Sequence, residues 1–278
     1  MELDPLRTRE ARAAAERALV RVVHHYGARP EFVVLGGLVP ELLCTRSGLQ
    51  HAGTTDVDVQ VDLEIAAGAV NTVRLEHALR NAEFVPDNRT VWRWVDAGAA
   101  AARAVVKFEL LADLTSERAE STVKFSDCDE LGAVNLRGTG FAARDVVVQR
   151  VSSSIGRTAY TVEVNVTGLA GFLLAKVSAA HSRRKSKDWY DLAFVLLHND
   201  LGGPEQAAAA VLARFSDDLT GSVRTALDDL LANFATPAVQ GPQAYAEQML
   251  VDHPEFDGTT LAADAVLAVG SFHRTLFP

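Results

Sequence analysis

Asp56-Val57-Asp58 opens an alternating run that continues Val59-Gln60-Val61-Asp62. Successive side chains of a strand point to opposite faces, so Asp56 and Asp58 share one face and the three valines the other. Two neighbouring carboxylates repel unless a cation holds them together. An oxygen-rich pair suits Mg²⁺, which keeps one or two protein carboxylates and fills its other positions with water and phosphate. The spacing points to metal-dependent nucleotide chemistry. Upstream, Gly36-Gly37 closes the apolar run Phe32 to Leu35. Glycines between a strand and a helix let the backbone approach phosphate, with helix N–H groups turned toward it. A third carboxylate would complete a two-metal site that clamps the attacking and leaving oxygens of phosphoryl transfer. Glu109, inside Lys107-Phe108-Glu109-Leu110-Leu111, is the best candidate, because a charge in an apolar strand is costly unless paired or metal-bound. Asp113 is its competitor, and an exposed edge position is the plain alternative for Glu109.

A second signal lies downstream. Lys176 follows Leu173-Leu174-Ala175 on a helix that otherwise faces a core. A lysine there ordinarily snorkels to solvent. Beside a triphosphate it would stabilise charge developing on the leaving group. Lys187-Asp188-Trp189-Tyr190-Asp191-Leu192 follows, with Asp188 a possible helix cap and Asp191 one turn in. Between the two runs His181-Ser182-Arg183-Arg184-Lys185-Ser186-Lys187, with no acid in it. Arg183, Arg184, Lys185 and Lys187 form the most basic local stretch and the candidate contact for phosphate or RNA. A solvated helix end is the alternative.

These residues need a frame. Residues 5–27 read as a helix ended by Gly27 and Pro30. Phe32 to Leu35 reads as a buried strand, then Gly36-Gly37 turns into a helix through Leu43, with Pro40 tolerable in its first turn. Strands are expected at 57–63, 90–95, 104–111, 145–151 and 160–166, and a helix at 69–82. Ser152 to Gly156 marks a hairpin turn. Beyond Thr167, a plausible N-cap, only helical patterns follow: 169–180, 187–198, 204–214, 217–233, 242–251 and 259–275. Mixed strands and helices followed by helices alone predict an α+β domain over 1–165 and a helical domain over 166–278.

Bulk composition bounds the rest. The 278 residues are 48% hydrophobic and 23% charged, ordinary values for globular chains. No apolar run approaches the roughly 18 residues that span a bilayer. The charged N-terminus lacks the apolar core of a secretory signal. Cys44 and Cys128 make neither a disulfide framework nor a metal motif and read as small buried residues, which suits a reducing cytoplasm. From Asp188 to the end there are 13 acidic and 3 basic residues, out of a net charge of −9. That acidic region is a poor phosphate binder, so any nucleic acid belongs to the first two thirds of the chain.

Together, Gly36-Gly37, Asp56-Val57-Asp58, Lys176 and Lys187-Asp188-Trp189-Tyr190-Asp191-Leu192 resemble the nucleotidyltransferases of the polymerase-β-like superfamily. More narrowly, they resemble the AbiEii/AbiGii toxin family, which includes the MenT-like toxins. The resemblance spans roughly residues 31–197. It implies a polymerase-β-like core with a mixed sheet, and a helical domain that contributes a lysine and an aspartate to the site. It implies that Asp56 and Asp58 hold Mg²⁺, with Glu109 as the third carboxylate. Gly36 and Gly37 would cradle the nucleotide phosphates, and Thr55, Lys187 and Asp188 join the nucleotide-binding set. Lys176 would contact the triphosphate, and Asp191, with Asp188 as rival, would support that lysine or the attacking group. Three departures stand out. Eighteen residues separate Gly37 from Asp56; Ala52, beside His51, stands where relatives often carry arginine; and Gly37 replaces the serine of a Gly-Ser form.

The resulting expectation is a Mg²⁺-dependent nucleotidyltransferase that moves a nucleoside monophosphate from an NTP to an acceptor hydroxyl. In the toxin relatives the acceptor is commonly the tRNA 3′ end, here reached through Arg183, Arg184, Lys185 and Lys187, with a cognate antitoxin as partner. Two rivals remain: transfer to a small cationic acceptor, as in aminoglycoside nucleotidyltransferases, and nucleotide binding without turnover.

Overall fold

The computed structural model describes residues 8–61, 71–98 and 105–278. The expected strand end at Asp62 and Leu63, and the starts of the helices at 5 and 69 and of the strand at Ala104, lie outside them. The chain is α+β with a mixed sheet. It divides into two compact units, Met1–Val39 with Gly53–Thr167, and Pro40–Ala52 with Gly168–Pro278. Residues 40–52, read from the sequence as part of the first domain, thus group with the helices of the second.

The first unit is built on one sheet. Its main path runs β3 (Phe84–Asp87), β4 (Thr90–Asp96), β5 (Lys107–Ala112), β2 (Asp56–Gln60), β1 (Val33–Leu35), β9 (Thr158–Thr167) and β8 (Val146–Ile155). Beside the end of β5 lie β7 (Gly132–Asn135) and its partner β6 (Thr122–Lys124). The centre is mixed: β2 runs parallel to β5 and antiparallel to β1, while β1 runs parallel to β9. Alternation dictates the two faces. Val57, Val59, Phe108 and Leu110 are fully buried on one, beneath α1 (Arg9–Tyr26) and α3 (Thr72–Asn81). The opposite face carries Asp56, Asp58 and Glu109 at intermediate exposure.

Local signals set the ends of α1. Thr8 caps it by accepting the Ala11 N–H at 3.2 Å. Gly27 closes it in the left-handed region, with its N–H turned back to the His24 and Val23 carbonyls. The hairpin is tighter than expected. β8 and β9 pair through Ile155 and Thr158 and leave only Gly156-Arg157 as the turn, so Ser152 to Ile155 are strand.

The second unit is helical: α5 (Leu169–Arg183), α6 (Ser186–His198), α7 (Pro204–Phe215), α8 (Gly221–Asn233), α9 (Gln240–Asp252) and α10 (Gly258–Leu276). The expected N-cap Thr167 is instead the buried last residue of β9, and Gly168 takes the cap position without a side-chain bond. The expected single helix over 217–233 is broken, because a 3₁₀ turn at Ser216–Asp218 precedes Gly221, whose φ is +55°. Helices α5 and α6 are apolar nearly all round and form the centre, with Phe172, Leu173, Phe194 and Leu196 fully buried. Among the described residues no helix is long and apolar enough to cross a membrane.

Candidate functional site

In the first unit the carboxylates sit where alternation puts them. The β2–β5 register pairs Asp56 with Lys107 and Asp58 with Glu109. Residues opposed across parallel strands share a face, so Asp56, Asp58 and Glu109 line one side of two strands about 4.8 Å apart. β4 brings a fourth group: Arg93 is paired in register with Glu109, and its Nε donates to Glu109 Oε1 at 2.7 Å. The guanidinium also lies over the Trp92 ring, 4.6 Å from its centroid. Burial pushes the Glu109 carboxyl above its ordinary range, and the Asp56 charge adds to that; Arg93 and Lys107 offset part of it. Asp113 is elsewhere. Its Oδ2 accepts the Gly138 and Gly140 N–H groups at 2.8 and 3.1 Å, which clamps a loop rather than joining the carboxylates.

The glycine pair is fitted to this face. Gly36 has φ +73°, and a Cβ there would overlap the Asp58 carboxylate. A Cβ on Gly37 would come within 2.8 Å of the Thr54 Cβ. Both glycines therefore let the β1 turn lie directly against the start of β2. That turn leads into one 3₁₀ turn, Gly36–Leu38, and the five-residue α2 (Val39–Leu43), so backbone amides rather than a long helix dipole are what it offers. Thr54 Oγ1 accepts the Asp56 N–H at 3.1 Å. The Thr55 carbonyl accepts from Lys107 N at 3.0 Å, while its hydroxyl is 3.5 Å from Asp56 Oδ1. Thr55 thus orders the strand start mainly through its backbone.

The donor set fits a hard divalent cation. Asp56 and Asp58 offer carboxylate oxygens on one half-exposed face, and burial, with the Asp56 charge added, shifts the neighbouring Glu109 toward its protonated form. Among the described residues no three His, Cys, Asp or Glu side chains gather closely enough to hold a metal by themselves. Mg²⁺ does not need that, since it usually takes one or two carboxylates with water and phosphate.

The second unit holds the other predicted residues in a buried chain of charges. Lys176 Nζ donates to Asp191 Oδ2 at 2.9 Å and to Asp188 Oδ1 at 3.2 Å. Arg183 forks onto Asp188, with both contacts at 2.7 Å. Asp188 and Asp191 are at most 1% exposed and Lys176 is 7% exposed. Burial alone would lower the lysine, but Asp191 and Asp188 outweigh it and hold the ammonium protonated. Burial alone would raise Asp188, but Lys176 and Arg183 hold it below the usual carboxylate range. Asp188 is therefore not the expected helix cap; Lys185 takes that position, and the Asp188 side chain is spent on cations.

The basic stretch is less available than its sequence suggests. Arg183 serves Asp188, while Arg184 and His181 both reach Asp229, at 2.8 and 3.0 Å. Lys185 is exposed and Lys187 half-exposed. Sequence reasoning assigned no role to Arg93 or His51. Arg93 was readable only as the cation in Trp92-Arg93-Trp94, and its partner depends on strand register. His51 Nε2 lies 2.9 Å from Asp191 Oδ1, across 140 residues of sequence.

An acid-lined face on a mixed α+β sheet, with a glycine turn packed against its first strand, is the architecture of this first unit. Residues 17–269 match the family described as Nucleotidyl transferase AbiEii toxin, Type IV TA system, and the chain belongs to that family. No curated protein matches it.

Proposed function

We propose that this protein is a Mg²⁺-dependent nucleotidyltransferase with a polymerase-β-like core, acting as the toxin of a type IV toxin–antitoxin pair. The single observation that carries the reading is the Asp56/Asp58/Glu109 face, with Gly36 fitted against Asp58. Asp56 and Asp58 are the residues that would hold Mg²⁺, and Glu109 is the adjacent third carboxylate, with one oxygen on Arg93. Bound there, the metal would neutralise charge on the phosphate oxygens of an NTP. Gly36 and Gly37 offer backbone amides to those phosphates, with Thr55 ordering the strand start. Lys176 offers the triphosphate an ammonium that Asp191 and Asp188 favour in its charged form. Asp191 and Asp188 hold that ammonium in one orientation, and Lys187 joins the nucleotide-binding set.

The proposed acceptor is the 3′ end of tRNA, and family membership implies a cognate antitoxin. A second acceptor class has one observation in its favour: Arg183, Arg184 and His181 are engaged by acids, and the chain from Asp188 onward carries 13 acids against 3 bases. Such a surface suits a small cationic alcohol. The test is incubation with each α-³²P-labelled NTP, Mg²⁺ and total tRNA, beside the Asp56→Ala/Asp58→Ala variant. Labelled tRNA with the wild type alone is the expected result. Label on an added aminoglycoside and not on tRNA selects the second acceptor. Label that survives in the variant rejects the assignment of the two aspartates.

A further inference from the structure

The buried charge chain of the second unit has one member that the proposed function does not use. His51 is 1% exposed. Its ring is stacked on Tyr190, 4.9 Å between centroids, and meets Phe194 edge-on at 5.0 Å. Its backbone is pinned as well. The His51 N–H donates to Glu41 Oε2 at 2.9 Å, and the next N–H, Ala52, donates to the Tyr190 hydroxyl at 2.9 Å. Two aromatic rings and two backbone bonds thus leave the imidazole one plane and Nε2 one direction. That direction is Asp191 Oδ1, 2.9 Å away. The other oxygen of the same carboxylate takes Lys176 at 2.9 Å.

We propose that His51 is a positioning residue for Lys176, acting through Asp191; the inference rests on Lys176 being the phosphate-directed cation of the proposed function. A carboxylate held by one oxygen can turn about its Cβ–Cγ bond. Held by both, it fixes its plane and so fixes what it binds. Lys176 carries three N–H donors, and Asp188 and Asp191 take two of them. With both carboxylates immobile, the direction of the third donor is set before any anion arrives. Outer partners that orient metal ligands change metal affinity or activity by about 10–100-fold, and the same scale is expected of a partner that orients Asp191.

The rival explanation is that His51 merely fills space between Tyr190 and Phe194. Two variants separate the readings. His51→Phe keeps the aromatic packing and removes the donor to Asp191. His51→Gln loses the ring and places an amide N–H near the position of Nε2. Each is compared with the wild type and with Lys176→Met in two assays: the rate of acetic anhydride labelling of Lys176, read by mass spectrometry, and binding of the four Mg²⁺-loaded α,β-methylene NTP analogues. His51→Phe is expected to label Lys176 about ten-fold faster and to bind the best analogue about ten-fold more weakly. His51→Gln is expected to restore both to within about three-fold. Should His51→Phe fail to fold, His51→Asn, whose shorter amide cannot reach Asp191, supplies the same comparison. Wild-type labelling in the donor-less variant, or fast labelling in His51→Gln, overturns the proposal. If labelling responds as expected but Lys176→Met binds every analogue as tightly as the wild type, the nucleotide role of Lys176 fails and the positioning role stands.

Discussion

The two units treat charge in opposite ways. In the first, Asp56, Asp58 and Glu109 share a half-exposed sheet face, and Arg93 pairs with Glu109 at 2.7 Å and with Asp87 at 3.8 Å. In the second, Lys176, Asp188 and Asp191 pair out of water, and Arg183 reaches Asp188 from the surface. Like charges gathered on one face repel one another and lower the stability of the protein that carries them. A paired set of buried charges holds geometry, and it is costly to break. Under the proposed function, ligand capture belongs to the sheet face and pre-organisation to the helical unit. Each assignment makes different substitutions harmful for different reasons.

The strongest expected effect is on turnover. Asp56→Ala with Asp58→Ala should reduce nucleotidyl transfer by on the order of 10³-fold or more, because metal charge stabilisation is worth several kcal/mol. Stability should behave the other way. Asp56→Asn relieves the field on Glu109, so its melting temperature should equal or exceed that of the wild type in metal-free buffer. A clear drop would break the comparison, since it would make the face a structural element.

Opening the buried set should show the reverse. Asp188→Ala leaves Lys176 with one carboxylate and Arg183 with none from this pair. Breaking a buried pair by removing one partner costs about 3–5 kcal/mol, to be read from the urea midpoint. A loss under about 1 kcal/mol would mean that the charges behave as surface ions do.

Gly36→Ala tests how closely the turn is fitted to the face. The positive φ and the overlap with Asp58 together should cost about 2–4 kcal/mol. Transfer activity should fall as well, because Asp58 must move. An alanine variant as stable and active as the wild type would show that the turn yields freely.

At neutral pH the last effect vanishes, because it is a pH dependence confined to the second unit. Burial lowers His198 to about 4, and its Nε2 lies 2.9 Å from the Tyr245 hydroxyl. The unfolded chain binds this proton near the ordinary 6.5 and the folded one only near 4. The associated stability is therefore complete above pH 6.5 and lost as the pH falls toward 4. The full span is worth about 3 kcal/mol at ~1.4 kcal/mol per pKa unit. His198→Phe should flatten the stability profile in that window. An unchanged slope would place the acid sensitivity elsewhere.

Much of this arrangement is legible in the sequence because periodicity is local. The Asp-x-Asp alternation gives the shared face directly, and the helical patterns after residue 167 give α5 to α10 to within a few residues. Other elements depend on partners far along the chain. β3 contains Pro86, β6 has three residues, and β7 is the bland Gly132-Ala133-Val134-Asn135; each is a strand because β4, β5 or β7 accepts it. The choice between Glu109 and Asp113 was open in the sequence, since both fit the alternation. Strand register puts Glu109 opposite Asp58, and a loop takes Asp113. The basic stretch misleads for the same reason: Asp229, which engages Arg184 and His181, lies 45 and 48 residues away.

The central claim is that the sheet face, and not the buried helical set, captures the divalent cation. Mn²⁺ titration followed by electron paramagnetic resonance tests it, with a non-transferable NTP analogue present. Wild type, Asp56→Asn/Asp58→Asn and Asp188→Asn are the three samples. The account predicts that the double variant loses the bound Mn²⁺ signal while Asp188→Asn, wherever it remains folded, keeps it. Retention of the signal in the double variant, or its loss in folded Asp188→Asn alone, would contradict it.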